Sequence, residues 1–94
     1  MYKYETMAVF SVANGDEAAQ PLLEKFKALI EANGTLESID DWGKRKLAYP
    51  INDEPEGYYV IFNYEASGEF PAELDRIFKI TDGVLRSLII RKED

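Results

Sequence analysis

Residues 58–66, Tyr-Tyr-Val-Ile-Phe-Asn-Tyr-Glu-Ala, form the most apolar run of the chain. The run is rich in aromatic and β-branched residues, which favour strands over helices. Gly57 precedes it and Ser67-Gly68 follows it, so turn-forming residues bound it on both sides. We predict a strand over Tyr58–Ala66.

The segment before this strand predicts a hairpin partner. Thr35–Tyr49 alternates weakly between apolar and polar residues, and Gly43 in its middle indicates a bulge or bend. Pro50–Gly57 carries two prolines, an asparagine and three acids, which is typical of a loop. We therefore expect a long, interrupted edge strand that pairs with Tyr58–Ala66.

Two further elements are predicted nearer the N-terminus. Tyr4–Val12 is apolar with only loose alternation, which is typical of a central strand. After the turn residues Asn14-Gly15-Asp16, apolar residues recur at helical spacing until Asn33-Gly34. They are Leu22, Phe26, Leu29 and Ile30. Because Pro21 fits only the first turn of a helix, the regular helix is expected to begin closer to Gln20 than to Glu17.

The C-terminal part predicts a second helix and a last strand. Pro71 is well placed near a helix start, and Leu74, Ile77 and Phe78 form a short apolar stripe before Asp82-Gly83. Val84–Arg91 then predicts a strand. The order β-α-β-β-α-β indicates an α+β, ferredoxin-like split βαβ fold, with two helices on one face of a four-stranded antiparallel sheet. We expect one domain over residues 1–94.

Composition narrows the chemistry that the chain can carry. It has 94 residues, 46% of them hydrophobic, and neither cysteine nor histidine. Thiolate metal sites, disulfides and histidine catalysis are therefore excluded. The N-terminus lacks the apolar core of a signal peptide, and no apolar run approaches the roughly 20 residues that span a bilayer. We expect a cytoplasmic protein without a membrane segment.

The basic residues are clustered, although the net charge is −7. Taken alone, that charge argues against nucleic-acid binding, but local fields decide where phosphate can approach. The windows Trp42–Asn52 and Gly83–Lys92 contain no acid. The first and last strands are expected to be neighbours, which brings Lys3, just before the first strand, near Arg86, Arg91 and Lys92. The predicted RNA-binding residues are Lys3, Lys44, Arg45, Lys46, Arg86, Arg91 and Lys92. The alternative is that these clusters are ordinary solvated surface.

The sheet face away from the helices is predicted to be a partner interface. If Thr6, Ala8 and Phe10 point to the helices, the opposite face is unusually apolar, as in an interaction surface. The predicted interface residues are Met7, Val9, Trp42, Tyr59, Ile61, Leu88 and Ile90. The alternatives are a parity error of one residue, and cover by loops or by self-association. Trp42 is either an interface anchor or a cap over the sheet edge.

Several sequence features resemble one known family. They are Asp41-Trp-Gly-Lys-Arg-Lys-Leu-Ala-Tyr-Pro-Ile-Asn52, Tyr4-Glu5, Gly57-Tyr58-Tyr59 and Asp82-Gly-Val-Leu-Arg-Ser87. In order and spacing they are similar to the bacterial small-subunit ribosomal protein S6 family, over nearly the whole chain. The resemblance implies a non-enzymatic protein without a cofactor or metal. It also implies binding to the central domain of 16S ribosomal RNA, jointly with the small basic ribosomal protein eighteen, during assembly.

The resemblance carries the triplet Lys44, Arg45 and Lys46 over as a functional region. It does not say which of the three contacts RNA and which the protein partner. Many family members have a C-terminal extension, whereas this sequence stops at Asp94, so a function assigned to such a tail is not carried over to this chain.

Three other interpretations were weighed. An acylphosphatase-like enzyme needs an arginine in the turn after the first strand, but Ala13–Asp16 has none. An RNA-recognition motif needs a basic residue before the glycine of its third strand, where this chain has Glu56. A regulatory or ligand-binding module that dimerises through its open sheet is harder to exclude, because an apolar face suits self-association.

Overall fold

The computed structural model describes residues 1–51 and 53–92, so Asn52 of the predicted loop and Asp94 at the C-terminus lie outside the described residues. No helix in these ranges is long and apolar enough to cross a membrane. The elements in chain order are β1 (Tyr2–Ser11), a 3₁₀ turn (Asp16–Ala18), α1 (Ala19–Asn33), β2 (Gly34–Ile51), β3 (Glu54–Ala66), α2 (Phe70–Ile80) and β4 (Val84–Arg91).

The four strands form one antiparallel sheet in the order β2-β3-β1-β4. Strand β1 is central, as predicted, and β2 and β3 form the predicted hairpin. Both helices pack on the same sheet face, because their buried residues share one core with that face. The predicted ferredoxin-like split βαβ fold is confirmed. The helix starts also agree, with Pro21 in the first turn of α1 and Pro71 in that of α2.

Aromatic side chains fill the core between the helices and the sheet. Phe26 of α1 stacks on Phe78 of α2 with ring centroids 4.2 Å apart, and lies 6.0 Å from Phe10 of β1. Beside this stack, the buried Tyr64 hydroxyl and Thr6 Oγ1 share a hydrogen bond of 2.7 Å. Each polar atom therefore has a partner where water is excluded, so the pair stabilises the centre of the sheet without an unsatisfied group.

The predicted loop at Pro50–Gly57 is wrong. Strand β2 continues to Ile51 and β3 begins at Glu54, with Ile51 and Glu54 paired. The turn between them uses Asp53 at a φ of +64°, a left-handed conformation that aspartate tolerates better than most residues. Between the pairs Lys46–Glu56 and Ile51–Glu54, four residues of β2 oppose one of β3. This bulge on an edge strand accommodates Pro50, which has no N–H to donate to the ladder.

The same bulge builds a small apolar cluster on the sheet face away from the helices. Val9 is completely buried and Leu47 nearly so, although neither belongs to the helix-side core. A Cβ atom added to Gly57 would overlap Val9 Cγ1 and lie 3.5 Å from Leu47 Cδ2. Gly57 is thus required because Val9 and Leu47 occupy the space where its side chain would be.

Replacing Gly57 with alanine is expected to lower the free energy of unfolding by about 1–3 kcal/mol, because the new methyl group overlaps Val9 Cγ1. Val9→Ala removes that atom, so Gly57→Ala should cost less in the Val9→Ala background. Urea denaturation of the four proteins of this double-mutant cycle measures the coupling. Equal costs in the two backgrounds would contradict the assigned overlap.

The Tyr64 hydroxyl makes stability fall at alkaline pH. Burial raises the pKa of Tyr64 above its ordinary value near 10, and the Thr6 hydrogen bond opposes this only in part. A group whose pKa is higher in the folded state stabilises the fold at pH values below its unfolded-state pKa. This stabilisation is lost as the pH rises through the folded-state pKa. Urea denaturation at about pH 8 and about pH 11 measures how much the free energy of unfolding falls between these pH values. The fall should be smaller for Tyr64→Phe than for the wild type. Equal losses would refute the assignment.

Candidate functional site

The sheet face opposite the helices, here called the open face, has no cover from the described helices. Its central residues on β1, β3 and β4 alternate with residues buried in the core, which confirms the predicted division of side chains between the faces. The open face comprises Glu5, Met7, Tyr59, Ile61, Asn63, Arg86, Leu88 and Ile90.

An apolar strip crosses the open face. Met7 of β1 pairs with Ile61 of β3 on one side and with Leu88 of β4 on the other. Leu88 and Ile90 remain 46% and 47% exposed. Met7 and Ile61 are half-buried. A strip of exposed and half-buried apolar side chains across three strands is typical of a surface that a partner covers. Val9, which was predicted to belong to this interface, has no exposed surface in the free chain. Its Cγ1 atom fills the space above Gly57, which Leu47 also borders.

The basic triplet of β2 is divided between two sides of the sheet. Lys44 lies opposite Tyr58, whose side chain is in the helix-side core, and Lys44 Nζ is 3.7 Å from the Asp16 carboxylate. Arg45 lies opposite Gly57 in the register of the open face. Lys46 lies opposite Glu56, an acid that partly offsets its charge. Arg45 is therefore the triplet residue whose position adjoins the open face.

The second predicted basic patch does not form as one cluster. Lys3 and Lys92 are neighbours, because the Lys92 N–H donates to the Lys3 carbonyl over 2.9 Å. Arg86 lies six residues along the strand from Lys92, which is about 20 Å in an extended chain. Arg91 lies opposite Tyr4 in helix-side register, and its guanidinium stacks 3.8 Å from the Tyr2 ring centroid. Strand length and alternation therefore separate Arg86 and Arg91 from Lys3 and Lys92.

A shallow concavity at the β2 edge brings together Trp42, Arg45 and Tyr59. The Trp42 indole is 51% exposed, although apolar rings are normally covered. Trp42 is the extra residue of a bulge between the pairs Asp41–Val60 and Gly43–Tyr59, as the glycine predicted. Trp42 is therefore accessible in the free chain.

Asp41 fixes this bulge. Its carboxylate accepts the Gly43 backbone N–H over 3.0 Å and the Tyr58 hydroxyl over 2.7 Å. The second bond raises the pKa of Tyr58, since an ionised phenol could not donate to a carboxylate. Gly43 has a φ of +72°, which suits glycine. This role of Asp41 was not predicted from the sequence, although an acid two residues before a glycine in a predicted bulge is a signal for it.

The family of the chain follows from comparison with known proteins. The model of the Ribosomal protein S6 family matches residues 3–91. The chain belongs to the ribosomal protein S6 family. It is 52% identical to small ribosomal subunit protein bS6 of Caldanaerobacter subterraneus subsp. tengcongensis over 95 residues, which cover 100% of both chains. It is 51% identical to bS6 of Clostridium perfringens strain 13 over 94 residues, which cover 99% of each.

A solved S6 structure has the same fold. The crystal structure of 30S ribosomal protein S6 from Thermotoga maritima matches 97% of this chain and 87% of its own, with a TM-score of 0.90 and 27% sequence identity. As a member of the S6 family, the chain is a structural, non-enzymatic constituent of the small ribosomal subunit in the bacterial cytoplasm.

Asp41→Ala is expected to release the Trp42 bulge, because it removes the acceptor of the Gly43 N–H and of the Tyr58 hydroxyl. Trp42 is the only tryptophan, so its fluorescence reports the bulge directly. Its anisotropy should fall, while far-ultraviolet circular dichroism stays unchanged. The matched control is Asp40→Ala, which removes the same charge one residue earlier. An equal anisotropy change in both variants would contradict the role of Asp41.

Proposed function

We propose that this chain, acting as a single domain, binds the central domain of 16S ribosomal RNA together with the small basic ribosomal protein eighteen, and stabilises the folded RNA during assembly. The open face supports this proposal most strongly. Its apolar strip stays exposed in the free chain, and burial of such side chains is worth about 25 cal/mol per Å². A protein partner seated there would remove that surface from water.

The arrangement of charge supports RNA contact at the borders of this face rather than at its centre. Arg45 lies near the β2 edge, Arg86 on the edge strand β4, and Lys3 and Lys92 at the end where β1 and β4 meet. Cations at separate borders can each approach a phosphate of a folded RNA that surrounds a central protein partner. The net charge of −7 makes the solitary chain a weak RNA binder. A basic partner would supply the missing positive field.

The test is a fluorescence titration of the chain against a central-domain fragment of 16S ribosomal RNA, with and without purified ribosomal protein eighteen. Binding should be tight only with the partner. Arg45→Ala and Arg86→Ala should each weaken the joint complex several-fold and reduce its salt dependence by about one counterion, if each side chain contacts one phosphate.

Arg76→Ala is the matched control, since it removes the same charge from the helix side, where Arg76 pairs with Glu73. If Arg45→Ala and Arg86→Ala lower the affinity for RNA no more than Arg76→Ala does, the RNA contacts lie elsewhere on the chain. No binding under any condition would refute the proposed function. A stable homodimer without any response to RNA would instead favour the dimerising module.

A further inference from the structure

Glu5 is a carboxylate on the central strand of the open face. It lies on β1 between Asn63 of β3 and Ile90 of β4, two residues before Met7. Glu5 is half-buried in the free chain. A charged group in such surroundings normally has a partner, because burial without one is costly.

The neighbours of Glu5 do not supply that partner. Asn63 Nδ2 donates to Ser38 Oγ over 3.2 Å, and Asn63 Oδ1 accepts from Lys92 Nζ over 2.6 Å, so both ends of the amide are engaged. Lys3, two residues before Glu5, has its Nζ 3.9 Å from the Glu37 carboxylate. Within residues 1–51 and 53–92, Glu5 makes neither an ion pair nor a side-chain hydrogen bond, while both nearby lysines are directed to other acceptors.

We infer that Glu5 is the anchor point for a lysine or arginine side chain of a basic protein that covers the open face. The inference rests on the proposed function and adds the chemistry of the contact. A partner that covers Met7, Leu88 and Ile90 also removes water from Glu5. A carboxylate removed from water requires a cation with hydrogen-bond donors, which a guanidinium or ammonium group provides.

The same carboxylate disfavours a phosphate at its own position, because the two like charges repel each other. Lys92 Nζ lies close by on Asn63 Oδ1, whereas Arg45 and Arg86 lie towards the borders of the face. The open face is thus divided into a centre around Glu5 and Met7 that suits a basic protein, and borders that suit phosphate. The apolar strip beside Glu5 packs against the methylene stem of the incoming cation.

Glu5→Gln tests the anchor, because it keeps the size of the side chain and removes its charge. Affinity for purified ribosomal protein eighteen, measured by isothermal titration calorimetry, should fall at least about tenfold, since truncating one partner of a buried charge pair leaves the other unpaired. The affinity of the variant should also depend less on salt. Glu31→Gln, which removes the same charge from α1, should leave affinity within about twofold of the wild type.

The alternative outcomes are distinct. If Glu5→Gln binds the partner as tightly as the wild type does, the anchor is wrong while the proposed function stands. If the wild type itself does not bind the partner, the proposed function fails and the anchor with it. If Glu5→Gln weakens binding of the chain alone to the 16S fragment but not to the partner, RNA occupies the centre and the division of the face is refuted. Urea denaturation of both variants shows whether they are folded like the wild type.

Discussion

The period-two alternation of the central strand β1 is the constraint on which the rest of the structure depends. Since β1 pairs with β3 on one side and β4 on the other, every side chain along it faces either the helix-side core or the open face. Thr6, Ala8 and Phe10 hold the helices, which leaves Glu5 and Met7 on the opposite side. A slip of one residue would exchange the two sets and place a carboxylate in the core. The fold and the composition of the open face are therefore fixed by the same register.

The edge strand β2 departs from this regular sheet through irregularities in its pairing with β3. One bulge exposes Trp42 beside Arg45, and Asp41 holds it in place through bonds to the Gly43 N–H and the Tyr58 hydroxyl. A second bulge places Leu47 beside Gly57, where both Leu47 and the neighbouring Val9 are buried. Because an edge strand carries only one ladder of hydrogen bonds, it tolerates such insertions at lower cost than a central strand.

The sequence predicts what depends on local periodicity. The bounds of β4, the start of α1 and the division of β1 between two faces all follow from hydrophobic spacing and proline position. Prediction from the sequence fails where a structural feature depends on pairing between distant segments. The continuation of β2 to Ile51 requires a turn at Asp53 and a long bulge, neither of which hydrophobic spacing reveals. Likewise, the separation of Arg86 from Lys92 depends on strand length and register. The lack of an ion-pair partner for Glu5 depends on the hydrogen bonds by which Asn63 engages Ser38 and Lys92.

The proposed function requires that the open face, and not the helix side, is covered when the chain joins its partner and RNA. Hydroxyl-radical footprinting read by mass spectrometry tests it directly, because methionine and aliphatic side chains are oxidised according to their exposure to solvent. On assembly with ribosomal protein eighteen and the central-domain RNA fragment, Met7 and Leu88 should become protected. Ile80 of α2, 67% exposed on the helix side, should be oxidised as in the free chain. Protection of Ile80 with unchanged Met7 and Leu88 would contradict the claim.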